Sequence, residues 1–578
     1  MVSEFSHYNV FALDLETTGL NPYDSRILLC QIGFENKRYV INVGTTSLTP
    51  LIPFFESTKW LKIIQNAKFE KSFVKTYLKS EINNVFDTKL AENILGNPFE
   101  TGLKALALKY ANITLDKDVR TSFIEARPIE AFTQEQLQYA SNDVFVLFPI
   151  WKAQREKLHD EGLDWVADLE FALTSVVSSM ELEGVPIDVK KWRDKLENYK
   201  EEHEQSRLRL TALLFPDTVS EQLGMFVRDP INLNSPQQVK TAFGKIGIPL
   251  KATNEREIGI INHPAARELM EYRKLQKIMT SYGSTFLDEI HPFTNRIHAD
   301  FQQIGTATGR FSCKSPNLQQ MPEEFRECVS LKDHSLIVSD YSQIELRILG
   351  ELSGDKRFLD TFASGHDLHK STASAMFNIP IDSVTKEQRF IAKTINFGIS
   401  YGMGANKLMD MLNQEFIKEG RSKKFNIREA QTMVNKYKAT YGDVTRWLSE
   451  AGEISYRNGY CRTIMGRKRY FTRPDSNVEN YQQMIASLKR QGANAPIQGT
   501  SADITKLAML NLHKDLQQYA FRAKIIIQVH DEIVVLAHNR HAEAVKEVVE
   551  ESMLKSAGEI LKRVPVKVDT TISDVWKK

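Results

Sequence analysis

Cysteine is scarce in this 578-residue chain: Cys30, Cys313, Cys328 and Cys461 stand far apart, with no CxxC pair. That excludes a disulfide framework and a cysteine zinc site, and leaves plain thiols in a reducing compartment. An excess of one charge is missing too. Lys+Arg 75 against Asp+Glu 73 gives a formal charge of +2, which says nothing about a polyanionic partner, because local clustering decides that. No apolar run approaches the ~20 residues that span a bilayer, so no membrane association is expected. The opening "MVSEFSHYNV" lacks the charged-then-apolar layout of a secretory signal, and no targeting signal is expected in this chain. There is no repeat of fixed period and no low-complexity tract. What is present, 42% hydrophobic and 26% charged residues, suits a soluble protein of three or four packed units.

Residues 1–155 open on strand-like "NVFALDLE", pass through "RILLCQIGF" and end in helical "TQEQLQYASNDVFVLFPIWKAQREKL", the pattern of a compact α/β unit. Residues 156–295 are long, charged, helix-period segments interrupted by "RDPINLNSPQQ", and read as an extended helical arm. Beyond them strands alternate with long helices and polar motifs are densest. The stretch "NQEFIKEGRSKKFN" (413–426) reads as a solvated loop.

In "VFALDLETTGL" the strand period of two puts Asp14 and Glu16 on one face. Two acids facing the same way repel, so a positive group is expected between them. "IIQNAKFEKSF" sets Asn66 and Glu70 four apart, and "QYASNDVFVL" sets Tyr139 and Asp143 four apart on one side of a helix. Each acid alone reads as a solvated side chain; their order and spacing argue otherwise.

Toward the C-terminus, "SLIVSDYSQIELRIL" is an apolar strand ending at Asp340, followed by helical spacing. "KIIIQVHDEIVVLA" places Asp531 and Glu532 where a hairpin turn would ordinarily carry Gly or Asn. If its halves pair, the tip brings Asp531 to a neighbouring strand, and metal is the economical reason for a converging carboxylate cluster. Between them lies "KEQRFIAKTINFGISYGMG", where Arg389, Lys393, Phe397 and Tyr401 recur every four residues, a helical stripe of two cations and two rings.

The N-terminal trio resembles the three motifs of proofreading 3′→5′ exonucleases. The C-terminal trio, with "GTATGRFSCKSPNLQQMP", "HDLHKSTA" and "NAPIQGTSADI", resembles motifs A, B and C of family A DNA polymerases. Together they cover nearly the whole chain and are similar to the large-fragment type of DNA polymerase I. The resemblance implies a multidomain α/β and α+β fold. A ribonuclease H-like exonuclease domain would span 1–155, linker helix and thumb 156–295, palm 296–364 and 486–578, and fingers 365–485 of a right-hand polymerase domain. It implies two Mg²⁺ per site, with Mn²⁺ as a substitute, held by Asp340 and Asp531 with Glu532 as supporting acid, and in the exonuclease by Asp14, Glu16, Glu70 and Asp143, with Tyr139 orienting water. The family usually has Asp where Glu70 stands, which puts the second exonuclease metal in question.

For nucleotide binding the resemblance implies Arg389, Lys393 (also a proton donor) and His369 at the triphosphate. Phe397 falls at the sugar, Tyr401 near the base, and Glu345 as a steric gate beside Gln343. For DNA it implies Arg310, Asn317, Gln319, Arg490, Asn494, Gln498, Gln528 and His530. The basic, aromatic stretch "YRNGYCRTIMGRKRYFTR" (456–473) reads equally as template contact or solvated loop. Expected partners are primer-template DNA and deoxynucleoside triphosphates, with a monomeric enzyme and helicase or primase contacts in a replisome. Lys- and Asn-rich character makes it similar to organellar replicative enzymes of the apicoplast, with bacterial cytoplasm as the alternative. Three rivals are weighed: a nuclease whose C-terminal part only binds DNA, which loss of Asp340 or Asp531 would favour although both are present; a single-subunit RNA polymerase, disfavoured by Glu345 and the attached exonuclease motifs; and a non-catalytic DNA-binding scaffold.

Overall fold

The computed structural model describes residues 5, 7–96, 100–115, 122–123, 132–216, 231–418, 424–518 and 522–577. The N-terminal unit is built on five strands, β1 (Val10–Thr17), β2 (Ile27–Phe34), β3 (Lys37–Asn42), β4 (Leu61–Ile64) and β5 (Val85–Asp87), in the order β3-β2-β1-β4-β5. The pairs β3–β2 and β2–β1 are antiparallel, β1–β4 and β4–β5 parallel. Every residue of β2 is buried, as a strand covered on both faces requires. Alternation along β1 explains the two layers. Phe11 and Leu13 join Phe73 and Val74 of the helix Lys68–Leu78, while Ala12 joins Val144, Leu147 and Phe148 of the helix Gln134–Asp160. That second helix starts at a Thr133/Gln136 capping box, a reciprocal pair that satisfies two otherwise orphaned amides.

The C-terminal unit centres on a four-stranded antiparallel sheet. Its order is Ala523–Val529, Glu532–His538, His334–Tyr341, Val568–Ser573. The helix Ala542–Ile560 packs on it, sharing one large apolar core. Between the units, the paired helices Val189–Leu214 and Pro264–Ser281 carry a separate small core around Leu210, Phe243 and Leu269. The 413–426 stretch differs from its reading as a loop. The helix Ala405–Lys418 runs through its first part, where the apolar positions Leu408, Leu412 and Phe416 are buried; residues 419–423 lie outside the described ones.

The longest element, Tyr481–Gln518, has 38 residues, about 57 Å at 1.5 Å per residue, and contains Pro496. Proline has no amide to give the carbonyl four residues back. Here the Ser455 hydroxyl, on the helix Gly442–Asn458, lies 3.2 Å from that carbonyl of Gly492 and 2.6 Å from its own Ala451 carbonyl. Position 492 must be glycine for this approach, since a Cβ there would meet Ser455 Cβ at 2.3 Å.

The basic stretch 456–473 is not an open loop: Tyr460–Arg462 and Lys468–Tyr470 form a small hairpin, Arg457, Arg462 and Arg473 are exposed, and several of its cations have protein partners. Lys468 pairs with Glu161, Arg469 with Gln491, and Arg473 with backbone carbonyls. Arg467 enters a buried ionic cluster, its Nε 2.7 Å from Asp503 and its terminal nitrogen 2.6 Å from Glu170. Glu170 also takes Lys506, and Gln303 Nε2 at 3.0 Å, while the Thr463 hydroxyl donates to Asp503 at 2.8 Å. Glu170, Asp503 and Lys506 have no exposed side-chain surface. Buried charges persist only when each is paired, and removing one member strands the others. Replacing Glu170 by Gln should therefore lower the free energy of the unfolding transition by about 3–5 kcal/mol, whereas Lys152→Ala, which breaks an exposed pair with Glu35, should cost less than about 1 kcal/mol. Chemical unfolding followed by tryptophan fluorescence distinguishes the two.

Candidate active sites

In the N-terminal unit β1 presents Asp14 and Glu16, and the helix Gln134–Asp160 lays Asp143 against them. Their carboxylate oxygens all lie within 4.8 Å of one another, the one such group of three or more metal-capable side chains among the described residues. Tyr139, one turn before Asp143, hydrogen-bonds to it; burial, then Asp143, Glu16 and Asp14, push its phenol up. Glu70 is 2% exposed and its Oε2 has no hydrogen-bond partner. Burial first, then Asp14, Asp87 and Glu16, hold its carboxyl well above the usual carboxylate range. Asn66 stands outside this group: with φ 69° it forms the turn before the Glu70 helix, and its side chain accepts from Lys89 at 2.9 Å.

What fixes that turn is Asp87, which the sequence reading missed. It caps the helix Thr88–Ile94 through Lys89 N and Leu90 N at 2.9 and 3.0 Å, and takes Ala67 N at 2.7 Å. The signal was there as an acid ahead of "TKLAENI", a helix-start pattern. An all-oxygen donor set with a crowded, buried carboxylate fits a hard divalent cation.

In the C-terminal sheet the hairpin closes over His530 and Asp531, and His530 adopts the left-handed φ of 56° that Gly or Asn would ordinarily supply. The register sets Asp340 opposite Glu532, so Asp531 lies beside the end of the Asp340 strand. Its charge, after burial, helps push up the Tyr341 phenol. Two carboxylates at one sheet end likewise suit a hard cation. Glu532 faces inward: it is 2% exposed, its Oε1 accepts from Trp576 Nε1 at 2.9 Å, and Arg326 lies at 4.0 Å. Gln343, at φ 54°, precedes the helix Ile344–Ser353 that carries Glu345.

The helix Lys386–Ser400 starts at a Thr385/Gln388 capping box and ends at Tyr401. Its stripe faces several neighbours. Arg389 donates from Nε and a terminal nitrogen to one Asp367 oxygen, at 2.8 and 2.6 Å, and Lys393 is exposed. Phe397 lies 5.6 Å, ring to ring, from His369. Tyr401 donates to Glu345, which pairs on its other side with Arg310, and Gln498 donates to the Tyr401 oxygen, which burial, then Glu345, push to a high pKa. Arg310, Glu345, Tyr401 and Gln498, from four separate segments, thus form one polar chain.

Arg490, Asn494 and Gln498 recur every four residues on one face of the long helix, and Arg490 is exposed and lies against Gly402. Gln319 donates to Gln528 Oε1 and backbone oxygen, both at 3.2 Å, and Gln528 donates on to His530 O at 2.5 Å. Asn317 caps the short turn that presents Gln319. His369 is not on the open face: it is 3% exposed, with Nδ1 3.0 Å from Asn396 Nδ2. Asp367 and Asn396 were not picked out from sequence. Asp367 again sits at a helix start; nothing in the sequence marks Asn396.

The family described as DNA polymerase family A matches residues 203–578, and the one described as 3′-5′ exonuclease matches residues 1–159. Among curated relatives, DNA polymerase I of Aquifex aeolicus is 31% identical over 98% of this chain and 95% of its own length. DNA polymerase I of Chloroflexus aurantiacus is 29% identical over the whole chain and 62% of its own length. The thermostable DNA polymerase I of Thermus aquaticus is 34% identical over 72% of this chain and 49% of its own. The chain thus spans from about half to nearly all of the relatives it matches. A solved structure described as the POL domain of Pol1 from M. smegmatis in complex with DNA primer-template and dNTP has the same fold. The TM-score is 0.84 at 24% identity, covering 100% of this chain and 97% of that one.

Burial, partly opposed by Asp367 and reinforced by Arg389 and Lys393, pushes the His369 imidazole down from 6.5 to about 4. Between those values the unfolded chain binds a proton that the folded one refuses, so stability falls as pH drops through this window. Urea unfolding of the parent and His369→Asn from pH 4 to 7 should show a shallower loss in the variant; parallel profiles would place His369 in water.

Proposed function

The chain belongs to DNA polymerase family A, and on that footing we propose that it is a template-directed DNA polymerase adding deoxynucleotides to a primer 3′ end, with a proofreading 3′→5′ exonuclease in its N-terminal unit. The observation that carries this reading is the sheet register that puts Asp340 beside the Asp531 hairpin tip. The division into exonuclease (1–155), helical arm and thumb (156–295), palm (296–364 and 486–578) and fingers (365–485) goes with it.

Asp340 and Asp531 would hold two Mg²⁺ ions, with Mn²⁺ as a substitute; Asp14, Glu16, Glu70 and Asp143 would hold the pair in the exonuclease. Such ions, when bound, neutralise charge on the entering and leaving oxygens of an in-line displacement at phosphorus. The protein's own groups do the rest. Lys393 meets the triphosphate as a point charge and gives a proton to the departing pyrophosphate, and Arg389 forks onto phosphate oxygens once it exchanges Asp367 for them. Glu345, held by both Tyr401 and Arg310, cannot swing aside, so it fills the space a ribose 2′-hydroxyl needs. Arg310, Gln498 and Arg490 donate to the minor-groove acceptors that every Watson–Crick pair presents. Gln319, Gln528, His530, Asn317 and Asn494 line the primer and template path. Glu532, tied to Trp576, supports the hairpin that aims Asp531. Tyr139 orients the water that attacks a frayed 3′ end.

No described helix is long and apolar enough to cross a membrane. We take the enzyme as a monomer acting on primer-template DNA, with helicase or primase as replisome contacts. The compartment we favour is a plastid-type organelle, on the Lys- and Asn-rich composition; bacterial cytoplasm is the alternative, since the relatives named above are bacterial.

Even outer-shell partners of a metal are worth about 10–100-fold. Asp531→Asn should therefore lower primer extension by more than about 100-fold and leave 3′ degradation intact, and Asp14→Asn should do the reverse. A primer-template assay with and without nucleotides reads both, and the assignment falls if either variant loses both activities or neither. The parent, with Phe397 at the sugar, should reject dideoxynucleotides, and Phe397→Tyr should admit them because the phenol replaces the missing 3′-hydroxyl. Equal chain termination by both forms would refute that placement.

A further inference from the structure

Buried polar atoms in folded proteins are nearly all hydrogen-bonded, so each exception calls for a physical reason. Among the described residues Gln31 is the sole side chain with two such exceptions. It has no exposed surface, and neither its amide nitrogen nor its carbonyl oxygen has a hydrogen-bond partner there. Filling that volume does not need an amide. A methionine of similar length would occupy it without the desolvation penalty that each unmade bond carries.

Register and packing say what surrounds it. Gln31 lies on β2 directly opposite Asp14 of β1, and residues directly opposite in an antiparallel pair project to the same face, their Cβ atoms roughly 4.5–5.5 Å apart. Two positions before it on that face, Leu29 shares an apolar cluster with Ala140. Two positions after it, a Cβ on Gly33 would meet the Val144 side chain at 3.1 Å. Gln31 therefore lies beneath the turn of the helix Gln134–Asp160 that carries Asp143. Its cross-strand neighbour on β3 is Val40. Leu29, Gly33 and Val40 offer no polar side-chain atom, so the groups this placement leaves beside the amide are the carboxylates of Asp14 and Asp143.

Those acids are crowded, with the ligand oxygens of Asp14, Glu16 and Asp143 all within 4.8 Å of one another. An amide is a donor that adds no charge: its Nε2 can only donate, and an ionised carboxylate can only accept. We propose that Gln31 is a positioning residue of the exonuclease site. With a divalent cation on Asp14, its Nε2 fixes the Asp14 carboxylate toward the ion, and its Oε1 accepts from the water that hard cations keep. This rests on the exonuclease reading above and adds a neutral member to its four acids. An amide kept for the loaded site lowers stability when no ion is bound, which a residue that merely fills space would not do.

Isothermal titration of the full chain with MnCl₂, without DNA, tests this apart from activity; the heat that Asp14→Asn abolishes marks the exonuclease site. Gln31→Met should weaken that binding at least about 10-fold, the lower bound for an outer partner of a metal ligand. It should raise the Mg²⁺ concentration that half-saturates 3′ degradation by a like factor and leave primer extension unchanged. In EDTA its urea-unfolding midpoint should equal or exceed the parent's, because an orphaned amide gives way to an apolar chain of similar shape. Gln31→Leu repeats the comparison with a branched side chain. The proposal is overturned if either variant binds Mn²⁺ as tightly as the parent, or if the parent binds none that Asp14→Asn abolishes. It is also overturned if both variants unfold at lower urea in EDTA, the mark of a residue needed for packing alone. A parent that binds Mn²⁺ at the Asp14 site yet leaves 3′ ends intact would sink the exonuclease reading, and the Mn²⁺ comparison would still decide the role of Gln31.

Discussion

Repulsion between carboxylates held side by side is the constraint on which the rest of this molecule turns. Left alone, such groups separate or take up protons, so each site needs a scaffold stiff enough to keep them together. In both units that scaffold is a strand whose hydrogen bonds fix side-chain direction to within a residue. β1 does it by alternation, setting Asp14 and Glu16 on one side, with a helix adding Asp143. The C-terminal sheet does it by register, setting Asp340 opposite Glu532. A slip of one residue in either strand would carry its acids to the other face of the sheet, away from their partners, and dissolve the site.

Much of this was legible in the sequence because it was local. Spacings of two and four give the side of a strand or helix directly, so the acid pair of β1, the Tyr139–Asp143 pair and the Arg389-to-Tyr401 stripe could be read from letters. The hairpin could be read from two apolar runs, although its turn residue, His530, is one that propensity would not choose. What could not be read was long-range pairing of charge. The sequence shows Arg467 in a basic run suggestive of DNA, whereas its partners, Glu170 and Asp503, come from two other helices. His369 looked like one more cation beside Arg389 and Lys393; burial under Asn396 makes it neutral instead. Capping acids were legible in principle, since Asp87 and Asp367 both precede helices. Their second tasks, holding the Asn66 turn and engaging Arg389, depend on tertiary packing.

The two units are not merely tethered. Lys68, two residues before Glu70, reaches Glu181 at 2.8 Å and Asp300 at 2.5 Å, so the helix bearing Glu70 is anchored on segments outside the N-terminal unit. The Glu170 cluster ties the same linker helix to the long helix that carries Gln498. Buried or half-buried charges have steep distance dependence, which favours one relative placement of the units over a continuum.

The borrowed hydroxyl at Gly492 has a mechanical meaning. Because Pro496 leaves that rung of the ladder vacant, bending there breaks no bond within the helix itself. The helix therefore carries a crease, and the portion ahead of it, with Arg490, is fastened to Gly442–Asn458 through Ser455. Those two segments are thereby joined into one piece on the near side of the crease, whereas Gln498, beyond it, is bonded to Tyr401 instead.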